Sequence, residues 1–187
     1  MGWFKDFKSD LQRYVDDGLT PGRALLTQQG LWATLEYRLA RGARDLPLAG
    51  PAFAASQKLV EAVTGISISH HATIGPGLWI THFGGIIVYD TAVLGERCHL
   101  CQGVTIGRLC GNNGNGAPVI GDDAYVGPNA AVLGSVAIGD GAHIGANSVV
   151  MCDVPAHAEV WPVPVTVMGT DESDEVAELA ELASIDA

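Results

Sequence analysis

From Ile74 to Val150 an aliphatic or small residue returns every six positions. Ile74, Ile80, Ile86, Ala92, Cys98 and Val104 form one phase; Ile120, Val126, Val132, Ile138, Ile144 and Val150 form a second. A period of six is neither helical nor a simple strand alternation, and predicts a β-solenoid in which each hexad supplies a short strand and a corner. The recurring apolar side chain points into a narrow interior shared by stacked coils. In the second phase Gly follows most of these residues, as in Ile120-Gly121 and Val126-Gly127, where a corner with positive φ would strain a residue carrying Cβ. A disordered segment has no reason to hold an apolar residue in phase through six repeats.

Upstream the period changes. Trp3, Phe4, Phe7, Leu11, Tyr14 and Val15 recur at helical spacing, and Thr20-Pro21-Gly22 breaks that helix. A second helix is expected through Leu25, Leu26, Trp32, Leu35 and Leu39. A third is expected from about Pro51 through Phe53, Val60 and Val63, with Gly65 as its C-terminal cap. These helices are expected to cover the first coil, since a stack of coils needs its end closed. The organisation read from the chain is a helical region at 1–66, a β-helix at 67–169, and an acidic tail or helix at 170–187. In that last segment Val176, Leu179 and Leu182 share one helical face.

Charge narrows the function. The net charge is −11, and only Arg97 and Arg108 are basic within the repeats. No basic footprint for nucleic acid or an anionic membrane is present. The 187 residues contain no signal peptide and no bilayer-length apolar run, so a cytoplasmic protein is expected. Cys98, Cys101, Cys110 and Cys152 fit packing positions and reduced thiols better than a disulfide framework. Cys98-His99-Leu100-Cys101 has the spacing of a metal half-site, but no second pair follows, so packing is expected and no metal. A γ-class carbonic anhydrase would need three histidines converging from adjacent coils, which the spacing of His70, His71, His99, His143 and His157 does not favour.

The run Gly75-Pro76-Gly77-Leu78-Trp79-Ile80-Thr81-His82-Phe83-Gly84-Gly85-Ile86, followed by Gln102-Gly103-Val104-Thr105-Ile106-Gly107, is similar to the serine acetyltransferases, members of the hexapeptide-repeat acyltransferases. The likeness covers roughly Thr64 to Gly169. It implies a mainly β protein, a left-handed parallel β-helix assembled as a homotrimer, in which two trimers can pair through the N-terminal helices. It also implies acetyl transfer from acetyl-CoA to the hydroxyl of L-serine or a related small metabolite, in cysteine biosynthesis.

Acetyl transfer to an alcohol needs a base, and a neutral imidazole suits that task near pH 7. The resemblance places the base at His82, with Gly84 and Gly85 leaving room for substrate. The Asp that orients the family's histidine is replaced here by Ser67. Asp90 stands where the family often has Glu, is expected close to the coil edge of His82, and is the candidate for orienting the base or binding an amino group.

Val104 and Ile120 are sixteen positions apart where six would continue the period, so about ten extra residues form a Gly- and Asn-rich loop at about 108–118. The family's serine-binding Arg-His pair just before the loop proline is replaced by Gly116-Ala117, and Arg108 is a candidate replacement cation for the substrate carboxylate. For acetyl-CoA the matching positions are Leu109, Gly127, Pro128, Gly145 and Ala146. The run Pro162-Val163-Pro164-Val165-Thr166 lacks the basic residue that meets CoA phosphates in the family, which leaves a carrier-protein donor as an alternative. A noncatalytic scaffold is the alternative of a different class.

Overall fold

The computed structural model describes residues 2–43, 49–109 and 116–163, without the side chains of 49–52 and 54. The middle of the expected loop with Cys110, the run from Pro164 to Thr166, and the expected terminal helix lie outside the described residues. Four helices lead: α1 (Trp3–Asp16), α2 (Pro21–Thr27), α3 (Gln29–Gly42) and α4 (Ala49–Thr64). The second expected helix is thus two, because Gln28 takes an extended backbone (φ −97°, ψ 101°) between them. Gly65 follows α4 with φ +66°, the left-handed conformation of a C-terminal cap. Among the described residues, no helix is long and apolar enough to cross a membrane.

Among the described residues, fourteen short strands then wind into a three-sided parallel solenoid. The first turn is β1 (Ile66–Ile68), β2 (Thr73–Ile74) and β3 (Trp79–Ile80); the second is β4 (Ile86–Val88), β5 (Val93–Leu94) and β6 (His99–Leu100). The third is β7 (Thr105–Gly107), β8 (Val119–Ile120) and β9 (Tyr125–Val126); the fourth is β10 (Ala131–Leu133), β11 (Ala137–Ile138) and β12 (His143–Ile144). A fifth, shorter turn holds β13 (Val149–Val150), a bridge from Val154 to Ile138, and β14 (Glu159–Val160). One face is the sheet β1-β4-β7-β10-β13, the second β2-β5-β8-β11, the third β3-β6-β9-β12-β14.

The interior takes two residues from each hexad, not one: Ala72 with Ile74, Ile86 with Val88, Ala124 with Val126, and so upward. This doubling conceals a break in the period. Register pairs Ile80 with Leu100 and Val88 with Ile106, so eight positions of the second turn match six of the third. Two extra residues therefore bulge from the corner between β3 and β4. The simple count from Ile74 to Val104 crosses the bulge unnoticed because Ile86 is itself inward. The same correction shortens the inserted loop. Fourteen positions separate Ile106 from Ile120 where six separate Val132 from Ile138, which leaves eight extra residues instead of ten.

Glycine after the apolar residue also has a different reason from the expected one. Gly75, Gly95, Gly121 and Gly139 do not have positive φ; positive φ falls two places later, at Gly77, Arg97, Asp123 and Gly141. What excludes a side chain is the next turn. A Cβ on Gly139 would sit 2.3 Å from the Ala156 nitrogen, and one on Gly75 2.6 Å from the Gly95 carbonyl carbon.

The helices close the open edge of the first turn with side chains that stand in for a missing strand. The Tyr37 hydroxyl donates to the Ala72 carbonyl at 2.9 Å and accepts the Ile74 N–H at 3.1 Å. Arg38 donates to the Ile74 and Gly75 carbonyls, both at 2.7 Å, and forms a two-pronged pair with Asp10 at 2.9 and 3.1 Å. Asp10 in turn accepts the N–H groups of Gly77 and Leu78 at 2.8 and 2.9 Å. Asp10 and Arg38 are both buried, so this pair is tolerable only because each remaining polar atom has a partner. α3 lies so close to the coil that a Cβ on Gly30 would meet the Ile80 side chain at 2.6 Å.

Candidate active site

His82 stands on the two-residue bulge, exposed, at the corner that joins the third face to the first. Phe83 beside it is 62% exposed, and Gly84 and Gly85 return the chain to β4 with φ +95° and +68°. Room for the bulge comes from glycines above and below. A Cβ on Gly65 would lie 3.0 Å from Gly84 Cα, and one on Gly85 3.3 Å from Gly103 Cα. Only a residue without a side chain lets the turns stack here while the corner protrudes.

The third face beside His82 carries a column of five rings on its outer surface. Trp79 stacks on His99 at 4.2 Å between centroids, and His99 meets Tyr125 edge-on at 5.0 Å. Tyr125 then stacks on His143 at 4.3 Å, and His143 on Trp161 at 5.2 Å. The Arg13 guanidinium lies over Trp79, 5.5 Å from the ring centre. Burial, aided by the charge of Arg13, pulls the pKa of His99 down to about 4, so His99 is neutral near pH 7. The His99 Nε2 shares a hydrogen bond with the Thr81 hydroxyl, which fixes the residue just before His82. His82 itself is near enough to His99 for its charge to be felt there.

Cys98 and His99 take opposite sides of the strand. Cys98 is fully buried inside the coil, its thiol on the Gly95 and Gly121 carbonyls at 3.5 and 3.3 Å, and burial pushes its pKa up to about 12. The Cys101 thiol donates to the Tyr125 hydroxyl at 3.4 Å.

The named candidates divide between two edges of the solenoid. Gly127-Pro128 and Gly145-Ala146 lie in successive turns above the His82 corner, on the same edge. A Cβ on Gly127 would meet the Ala146 nitrogen at 2.9 Å, and one on Gly145 would strike Trp161 at 2.5 Å, so coil spacing already requires both glycines. Asp90, Arg108 and Leu109 lie on the next edge, after the first face. Asp90 follows β4 while His82 precedes it, and three strand residues put roughly 10 Å between those corners. The expectation that Asp90 shares the coil edge of His82 is thereby corrected: within one chain, β4 holds them apart. Leu109 packs against the backbone of that edge, 3.3 Å from where a Cβ on Gly134 would be. Arg108 is exposed. Of the two residues replacing the Arg-His pair, Ala117 is buried in the core, and Gly116 abuts Ser135, 2.7 Å from a would-be Cβ.

One neighbour went unread in the sequence. Ser67, outward on β1, donates its hydroxyl proton to Glu61 Oε1 of α4 at 2.7 Å. Burial favours a raised pKa for Glu61, but hydrogen bonds from Lys58, Ser67 and Gln57 overcome it and hold the carboxyl below its usual range. The sequence signal was available only in hindsight: a Glu one helical turn before the Gly65 cap.

A three-sided parallel coil with a histidine raised at one corner defines a hexapeptide-repeat transferase, and residues 117–151 match the family model described as bacterial transferase hexapeptide (six repeats). Serine acetyltransferase of Bacillus pumilus is 36% identical over 169 residues, which cover 89% of this chain and 77% of that protein. Serine acetyltransferase 4 of Arabidopsis thaliana is 36% identical over 174 residues, 88% of this chain and 47% of the relative. The crystal structure of soybean serine acetyltransferase complexed with serine superposes with a TM-score of 0.79 at 28% identity, covering 89% of this chain and 70% of that one. The chain therefore belongs to the serine acetyltransferase family, and its solenoid is the left-handed β-helix of that family. It spans about half the length of the plant relatives it matches.

Proposed function

We propose that this protein transfers the acetyl group of acetyl-CoA to the hydroxyl of L-serine or a closely related small molecule, with His82 as general base. The observation that carries the reading is the His82 bulge: two residues added to a regular coil, flanked by glycines, in a chain of this family. His82 takes the proton of the acceptor hydroxyl as its oxygen attacks the thioester carbonyl carbon. The tetrahedral species then collapses, the C–S bond breaks, and the imidazolium returns the proton to the departing thiolate. Acetyl-CoA runs along the edge formed by Pro128 and Ala146, where side chains are short and backbone groups are within reach.

His82 with Pro128 and Ala146 occupies one edge, and Asp90, Arg108 and Leu109 the next. A site that uses both sets is assembled between copies of the chain, and a homotrimer of parallel solenoids supplies that arrangement. A second acceptor is favoured by Gly116 and Ala117, which offer no polar side chain at the two positions of the family's serine-binding pair, Ala117 being buried in the core.

The test is thiol release from acetyl-CoA by the purified protein with L-serine and a panel of other hydroxyl acceptors, beside His82→Ala. The expected result is O-acetylation that falls by about 10²–10⁴-fold in the variant. Turnover only on another acceptor would keep the mechanism and discard serine. No turnover by an intact trimer with any acceptor would sink the acetyl-CoA reading in favour of a carrier-protein donor or a scaffold.

A further inference from the structure

An imidazole that receives a proton in the transition state is helped by an anion on its far nitrogen, yet the outward residue of β1, the strand under β4, is Ser67, which has no charge. Ser67 is the middle residue of β1; Ile66 and Ile68 point inward, so its side chain points out. It pairs across the sheet with Ile87 of β4, the strand that His82 precedes. Two residues before it, Gly65 lies directly under Gly84 of the His82 corner. Ser67 and His82 thus border the same edge of the first two turns.

The hydroxyl has one proton, and that proton goes to Glu61 Oε1 at 2.7 Å. What Ser67 offers in other directions is therefore acceptor capacity, the complement of an imidazole N–H. Glu61 is held in place for this. Its side chain is only 18% exposed; it also accepts from Lys58 Nζ at 2.6 Å and from Gln57 Nε2 at 3.2 Å, and Gln57 ties α4 to β1 through the Ile68 carbonyl at 3.2 Å. Lys58 is 79% exposed, so water screens its charge more than that of the carboxylate it touches. A hydroxyl bonded to a carboxylate is polarised and becomes a better acceptor than an isolated serine.

We propose that Glu61, acting through the Ser67 hydroxyl, is the positioning anion for His82: Ser67 Oγ accepts the imidazole N–H, and Glu61 supplies the charge behind it. The inference rests on His82 being the general base. Asp90 is excluded from the role within the chain by β4.

The test compares Glu61→Gln, Ser67→Ala and the double variant Glu61→Gln with Ser67→Asp, which moves the carboxylate onto the β1 position. The readouts are the pH profile of kcat/KM, the separate values of kcat and acceptor KM, and titration of the His82 ring by NMR. The other titratable and charged groups nearby stay as they are: His99, Arg13 and Asp17 on the third-face side, Lys58, Glu36 and His70 around Glu61. Each single variant is expected to lower kcat about tenfold with acceptor KM unchanged, and to move the acid limb and the ring pKa down by about half a pH unit. The double variant is expected to restore both. An acid limb and ring pKa unmoved in both single variants, with kcat within about twofold of the parent, would overturn the relay. If Glu61→Gln does not fold, Ser67→Ala decides alone, because it leaves Glu61 with Lys58 and Gln57. An active His82→Ala would instead sink the base assignment, an outcome distinct from an inactive His82→Ala beside an unaffected Glu61→Gln.

Discussion

The Tyr14 hydroxyl makes both hydrogen bonds that the Ile80 peptide would otherwise lack, donating to its carbonyl at 2.9 Å and accepting its N–H at 3.3 Å. One phenol thus does the work of a neighbouring strand at the last inward residue before the His82 bulge. Burial raises the Tyr14 pKa well above that of an ordinary phenol, so the group stays protonated and able to donate. Tyr14→Phe keeps the ring and strands two buried backbone groups. The expected loss is about 2–4 kcal/mol of stability, read from chemical unfolding of the variant beside the parent. A loss below about 0.5 kcal/mol would mean that water replaces the hydroxyl.

The two kinds of corner residue separate by mutation. Gly139→Ala drives a methyl into the Ala156 backbone and is expected to cost about 3 kcal/mol or more, because backbone cannot rotate away. Asn147 has φ +59°, and Asn147→Gly is expected to stay within about 1 kcal/mol of the parent, relief of strain offsetting unfolded-state entropy. Thermal unfolding of both variants checks the contrast; equal effects would refute it.

His99 provides a pH signature. Its folded-state pKa of about 4 lies below the ordinary 6.5, so the folded form prefers the neutral ring. The stability this contributes is complete above about pH 6.5 and is lost as pH falls toward 4. The NMR midpoint of the His99 ring is expected near 4, and His99→Gln is expected to flatten the fall in stability across that window. A midpoint near 6.5 would show that the ring column does not desolvate it.

The division of candidates between two edges predicts complementation. His82→Ala and Asp90→Ala are each expected to lose activity by at least about tenfold. In the proposed homotrimer, co-expression in equal amounts gives mixed trimers in which roughly a quarter of the sites draw an intact His82 from one chain and an intact Asp90 from its neighbour. Recovery of about a quarter of parental activity is expected; no recovery would place the whole site within one chain.

The solenoid was legible because its determinant is local and repeated: Ile120 to Val150 keeps the spacing in which each turn lies on the last. The bulge was not, since Ile86 and Val88 both face inward and a periodic count cannot tell which of two apolar residues is in register. The helical cap was foreseen as apolar packing, whereas its specific contacts come from Asp10, Tyr37 and Arg38, which that apolar spacing passes over, and from the hydroxyl of Tyr14, which it counts only for the ring. His82 is singled out by its motif, Thr81-His82-Phe83-Gly84-Gly85, through the resemblance alone. The Glu61–Ser67 bond joins residues of a helix and a strand across a turn, and only the angle between α4 and β1 makes them partners.

Because the bulge between β3 and β4 adds two residues outside the strand register, His82 and Phe83 are released from the inward spacing, while Gly84 and Gly85 stay fitted to the turns below and above. The coil enforces a strict grammar on each turn, and His82 sits in a parenthesis. Because both side chains are exposed, a substitution at 82 or 83 leaves untouched the glycine contacts that seat the corner on the stack.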